Sequence, residues 1–257
     1  MSLSRYFLEI AYQGTHYHGW QIQQNATTVQ GILQTSLARC LGYEVVTVGS
    51  GRTDTGVHAR QQFAHVDIDN VVDIVRLHYQ VNALLPPSIA VTAIHPVQVT
   101  AHARFDATSR TYRYAIVPAK NPFLCEITYL FARPLDIETM NQAARLLCGE
   151  RDFRGFCKAH TAVSHYRCCV MEARWVVELG QLVFYIRANR FLRGMVRFIV
   201  SHLLQVGTGK LCVRAFERLL QQNSRNMAAA LVPACGLTLA AVSYPDSIFL
   251  PRIDIPS

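Results

Sequence analysis

The chain has 257 residues, 51% of them hydrophobic and 16% charged. That is enough apolar material for a real core, in one large domain or two smaller ones, and it excludes a disordered solvating chain. Lys and Arg total 25 against 17 Asp and Glu, a net charge of +8, which points to a polyanionic partner, nucleic acid before membrane.

Met1-Ser2-Leu3-Ser4-Arg5-Tyr6 carries no basic region followed by an apolar one, and the longest apolar run, Met227–Val242, is broken by Pro233 and Gly236. A soluble, cytoplasmic protein with no membrane segment is expected. Tyr6–Tyr12 alternates and is β-prone, which predicts the first strand. The loop Gln13–Gln21 is rich in rings and amides for its length. Thr27 then opens a helix, with Gln30 completing a capping box, Val29, Ile32, Leu33 and Leu37 as the apolar stripe and Gly42 at the far end. A strand-like run, Tyr43–Val48, leads into a glycine-rich stretch, Gly49–Ala59, and an alternating run, Ala59–Ile68, leads out. The pattern next predicts a helix over 71–82, stopped by Pro86-Pro87, and a strand over Ile89–Val97.

In Arg110–Val117 a period of two puts Tyr112, Tyr114 and Ile116 on one face and Arg113 on the other. Residues 118–135 form a Pro-containing connector whose composition marks a division between halves, assigned as 1–105 and 106–257. Asp136 caps a helix carrying Met140, Ala144 and Leu147. Cys169–Leu179 and Leu182–Ala188 read as a hairpin turning at Gly180-Gln181. A helix is expected from Arg190 to Val206, where Arg190, Arg193 and Arg197 make one basic stripe that suits phosphate, while Leu192, Met195, Ile199, His202 and Leu203 bury. A short helix over 213–222, a turn at Pro233–Gly236 and a strand from Leu237 complete an α+β pattern.

Gly49–Ala59 reads Gly-Ser-Gly-Arg-Thr-Asp-Thr-Gly-Val-His-Ala. Its three glycines offer positive φ or close backbone approach around a single carboxylate, Asp54. An Asx-type turn between two strands accounts for the composition equally well. The eight cysteines contain no CxxC pair and read as reduced thiols. Cys157, His160, His165 and Cys168 can be drawn as a zinc site, but their spacing does not match the usual fingers, and no metal is assigned.

Taken together, these segments resemble the tRNA pseudouridine synthase A family. The likeness is carried by Ala11–Thr15 with Gly19-Trp20-Gln21, Val29-Gln30-Gly31, Gly49–Ala59, Ala103-Arg104-Phe105 and Arg110–Tyr114. It continues through Phe191-Leu192, Met195-Val196-Arg197, Gly207 with Gly209-Lys210, and Pro233–Leu237. The resemblance implies the pseudouridine synthase fold: two ferredoxin-like or RRM-like α+β halves, a joined, mainly antiparallel sheet and a central basic cleft. It implies a homodimer that isomerises uridine to pseudouridine in the anticodon stem-loop of tRNA, at positions 38–40, with no cofactor. It makes Asp54 the catalytic aspartate, Arg197 its guanidinium partner, Tyr112 the ring that stacks on the target base, Arg52 a contact to the RNA around the flipped nucleotide, and Leu237 a substrate-binding residue. Arg151-Asp152-Phe153, Ser201 and Arg193-Gly194 depart from the family pattern.

The chemistry explains why such residues are wanted. An N-glycosidic bond breaks, the base turns, and C5 joins the same sugar carbon, so the nucleotide must first leave the stack. An aromatic face replaces lost stacking at about 1–3 kcal/mol per base. A dry cleft favours a protonated carboxyl, and a guanidinium beside it opposes that shift with bidentate geometry that lysine cannot reproduce. Competing readings of the same residues are a non-catalytic RNA-binding or tRNA-folding module, a pseudouridine synthase acting at other RNA positions, and a zinc-dependent nucleic-acid protein.

Overall fold

Strand β1, Leu3–Tyr12, runs between two antiparallel partners, β3 (His58–Asp69) and β4 (Ile89–Val97), so that Phe7 lies opposite His65 on one side and His95 on the other. This is described in a computed structural model covering residues 3–69, 72–158, 164–222 and 230–251. A three-residue strand, β2 (Thr47–Gly49), pairs with β3 at Ala64–Val66, so only the end of the expected 43–48 strand forms a ladder. Helices α1 (Val29–Leu41) and α2 (Ile74–Leu84) bury Val29, Leu33 and Leu37 from one and Ile74, Leu77 and Val81 from the other.

The cap of α1 is Thr28 and not Thr27: its side chain accepts from Gly31 N at 3.3 Å, while the Thr27 carbonyl is taken by His18 N of the preceding loop. Gln30 makes no capping box. Its amide is turned inward, donating to Thr47 O at 2.7 Å and accepting from Ile22 N at 3.0 Å, which ties loop and β2 to the helix. Gly42 ends α1 in the left-handed region, as a C-terminal glycine does.

The chain divides into two compact units, Met1–Thr108 with Leu239–Ser257, and Ser109–Thr238. In the second unit β5 (Ser109–Val117) is flanked by the two-residue parallel strand β6 (Tyr129–Leu130). Helix α3, Ile137–Arg145, is capped by the Asp136 side chain. Strands β7 (Gly149–Asp152), β8 (Arg167–Glu178) and β9 (Gln181–Ala188) make an antiparallel ladder in the order β5-β9-β8-β7. The hairpin turns at Leu179-Gly180, one residue before the expected place, because both residues hold positive φ, 49° and 72°, as a mirror-type hairpin turn demands.

Helix α4 spans Met195–Gly207, five residues shorter at its start than the periodicity suggests. Gly194 stands before it at φ +75°, outside right-handed helix geometry, and the first helical bond runs from Phe198 N to Gly194 O. Arg190 and Arg193 therefore precede the helix, and the three-arginine stripe does not form; only Arg197 rides on α4. The apolar set Leu192, Met195, Ile199, His202 and Leu203 is buried as expected. Helix α5, Val213–Gln221, lies with α3 and α4 over a core that includes Met140, Phe156, Phe184 and Phe216.

The last strand, β10 (Leu237–Ser243), neighbours β3 and carries the chain back into the first unit. Tyr244 and Phe249 follow it, and the Tyr244 ring lies 5.1 Å from those of both Phe7 and Phe63. That aromatic cluster is why the chain's last segment packs with the first unit, although sequence order placed it with the second half. Among the described residues no helix is long and apolar enough to cross a membrane.

Candidate active site

The stretch around Asp54 is held from beneath by the loop that follows β1. The Trp20 indole, 1% exposed, stacks on Tyr12 at 6.2 Å and lies against Gly49, where an added Cβ would stand 2.3 Å from its Nε1. The Tyr12 hydroxyl bonds the Thr53 hydroxyl at 2.8 Å, and Trp20 N donates to Thr53 O at 3.3 Å. On the far side Gly56 N reaches Tyr17 O, and Gly14 N donates to the His58 ring at 2.9 Å. Ser50 hydrogen-bonds Gln62, whose amide returns to Gly51 O at 2.9 Å.

Thr53 is thereby pulled inward, while its neighbours Arg52 and Asp54 are exposed and half-buried respectively. The Asp54 carbonyl accepts from Val57 N at 3.1 Å, closing a turn through Gly56. The stretch is thus a turn closed by the Asp54 main-chain carbonyl, with the Asp54 side chain half-buried upon it. Of the glycines, Gly49 and Gly56 have a steric or conformational reason; nothing lies within 4 Å of a Cβ built at Gly51.

Within the second unit, Tyr112 sits on β5 opposite Ile186, half-buried, with its ring edge-on to Phe191 at 5.1 Å. Two residues on, Tyr114 is fully buried and donates to Pro233 O at 2.8 Å; burial pushes its phenol pKa up. Arg197 Nε donates to the preceding carbonyl, Val232 O, at 2.7 Å. Cys235 Sγ reaches Thr128 O, and Gly236 lies so close to the Tyr114 ring that a Cβ would stand 2.7 Å from Cζ. Leu237, next along, is 6% exposed and begins β10.

Strand β5, helix α4 and the turn over 232–237 are thus locked together by side chains that the sequence offered as separate motifs. Arg197 bonds the start of that turn at Val232, and Leu237 stands at its end. Arg52 and Asp54 belong to the first unit. Tyr114, Trp20 and Tyr12 carry support that periodicity reads only as core; for Trp20 the signal available was the density of rings and amides in Gln13–Gln21.

Of the zinc candidates, His160 lies outside the described residues. His165 Nε2 accepts from Arg190 at 3.0 Å, and burial pushes the Cys168 thiol up to about 12. Among the described residues no group of three His, Cys, Asp or Glu side chains is placed to hold a metal ion.

The family model described as tRNA pseudouridine synthase matches residues 10–106 and 143–245 of this chain. The chain belongs to the tRNA pseudouridine synthase family. It is 46% identical over 250 residues to the tRNA pseudouridine synthase A of Bacteroides thetaiotaomicron, covering 96% of this chain and 93% of that protein. It is 45% identical over 251 residues to that of Bacteroides fragilis, with 97% and 100% covered. The likeness extends to Neisseria meningitidis serogroup C, 39% over 260 residues, with 98% and 96% covered. In this member of the tRNA pseudouridine synthase family, Arg52, Asp54, Arg197 and Leu237 fall inside the matched segments, and Tyr112 falls between them.

Proposed function

We propose that this enzyme isomerises uridine to pseudouridine in tRNA, at positions 38–40 of the anticodon stem-loop, working in the cytoplasm as a homodimer. The observation that carries the reading is the Asp54 loop: a half-buried aspartate on a turn whose neighbours Thr53 and Gly56 are hydrogen-bonded to the buried residues Tyr12, Trp20 and Tyr17. A braced turn of this kind suits a group that catalysis needs in a fixed near-attack position. Family membership over nearly the whole chain, and relatives that are tRNA pseudouridine synthases A, support uridine in tRNA as the substrate.

In this reading the target nucleotide leaves the stack, Tyr112 takes the exposed base face, and Asp54 is the essential carboxylate at the reacting nucleoside. Arg197 is assigned as the guanidinium partner of that carboxylate and Arg52 as an RNA contact; both assignments rest on their sequence motifs. Leu237 is assigned to substrate binding on the same basis. The isomerisation balances internally: the C1′–N1 bond breaks, C1′–C5 forms, and the hydrogen on C5 leaves to solvent while N1 gains one.

Release of tritium from tRNA labelled at uridine C5 tests the reading, because binding alone cannot exchange that hydrogen. Wild type is expected to release it, and Asp54→Asn to release none while keeping tRNA affinity within a few-fold. Full turnover by that variant removes Asp54 from its role. Mapping pseudouridine in tRNA from cells lacking the protein tests the positions, with loss expected at 38–40.

A further inference from the structure

The segment between β4 and β5 is a tightly bonded loop that presents an aromatic ring to solvent. Arg5 donates to Ala101 O at 2.8 Å, Ala103 N donates to the His65 ring at 3.1 Å, and the Tyr244 hydroxyl bonds Ala103 O. Within the loop, His102 N donates to the Asp106 carboxylate at 2.7 Å and Asp106 N returns to His102 O at 3.1 Å. His102 Nδ1 accepts from both Arg104 N and Phe105 N, at 3.1 and 3.3 Å, and Thr108 is tied to Ser243 O.

On this frame Phe105 is 74% exposed. One side of its ring packs on the His102 imidazole, centroids 4.3 Å apart at 34°, and His102 is backed in turn by His65 at 4.7 Å. Arg104 is exposed, with its guanidinium over the Phe105 ring, 5.7 Å from the centroid. A phenyl ring gains little from folding when left this open. Here its backbone is fixed by bonds to the next ring, so its exposure is a property of the loop.

We propose that Phe105 is a stacking platform for an unpaired RNA base, with the Arg104 guanidinium contacting an adjacent phosphate. The proposal rests on the reading above in taking RNA as the substrate. A base offers a π-face to a ring that is 74% exposed and backed by His102, and a phosphate suits the neighbouring guanidinium in a chain of net charge +8. Its immediate neighbours in the loop are Arg104 and Asp106, which frame a single ring and not an apolar patch of the kind that docks a protein.

The test measures tRNA affinity for Phe105→Ala, Phe105→Leu and Phe105→Trp across a salt series. Stacking worth about 1–3 kcal/mol per base corresponds to a roughly 5- to 150-fold weaker Kd for Ala. Leu, which keeps apolar bulk without a π-face, should lose most of that affinity as well, and Trp should keep it. The slope of log Kd against log salt should be unchanged in all three, whereas Arg104→Ala should make it shallower by about 0.7–0.9. Phe105→Ala and Phe105→Leu that bind tRNA within twofold of wild type, with unchanged melting temperature, overturn the proposal. The two readings fail separately: tritium release with normal Phe105→Ala affinity sinks the platform alone. Weakened binding without release by wild type sinks the isomerase alone.

Discussion

Arg197 donates from Nε to the Val232 carbonyl, a bond that ties its guanidinium to the turn starting there. A lysine keeps the charge and loses both the planar fork and the bond geometry. We expect Arg197→Lys to lower kcat/KM on tRNA by roughly 10–100-fold, the equivalent of one charge-assisted hydrogen bond of ~1.5–3 kcal/mol. Steady-state tritium release measures it, and unchanged kinetics would remove Arg197 from the chemistry. Tyr114 shows what residue-level reading misses. Alternation put it on the same face as Tyr112 without separating the two, and in the structure Tyr114 is the one fully buried. That its hydroxyl also holds the Pro233 carbonyl, 119 residues away, has no periodic signature.

At the scale of elements, the Asp54 loop depends on an indole lying against a residue without a side chain. Gly49→Ala would put a methyl 2.3 Å from Trp20 Nε1, so the ring, the loop or both must move. Overpacking of this kind costs about 1–3 kcal/mol, read by urea unfolding, and activity should fall with it because the displaced loop carries Asp54. Gly51→Ala is the control: it meets nothing within 4 Å and should leave stability within about 0.5 kcal/mol. Equal effects from the two would discount the indole. Elements with strong local grammar were legible, such as β4, found at Ile89–Val97, and α3 with its Asp136 cap. The start of α4 was not, since Arg190, Arg193 and Arg197 fit a helical period while one left-handed glycine interrupts it. Thr27 and Thr28 were likewise inseparable by type, and the loop's bond to His18 decided between them.

For the whole molecule, His65 links stability to pH. Burial first, then the charges of Arg5 and His102, push its pKa down from 6.5 to about 4, partly offset by Asp67 and Asp106. Below pH 6.5 the unfolded chain takes up a proton there that the folded protein refuses until near pH 4. Its contribution is therefore intact above 6.5 and is lost as pH falls towards 4, with a slope of up to about 1.4 kcal/mol per pH unit. Urea midpoints measured across that range should fall in wild type and fall less steeply in His65→Asn, whose amide oxygen can still accept from Ala103 N. Identical slopes would exclude His65 as the titrating group. The α+β character of the molecule was legible because its strands and helices alternate in period. The return of the last strand was not, because partnership between Tyr244 and Phe7 is a matter of tertiary geometry. That return has a consequence for biosynthesis. The first unit is interrupted after Thr108 and resumes at Leu239, so about 130 residues must be translated before its sheet can close. At ~5–20 residues per second this is about 7–26 seconds, during which β3 lacks its β10 neighbour, Phe7 lacks the Tyr244 and Phe249 rings, and Phe63 lacks Tyr244. On the ribosome, the half that carries Asp54 starts folding first and finishes last, and an unpaired strand edge stays open to chaperones and to misassembly throughout that interval.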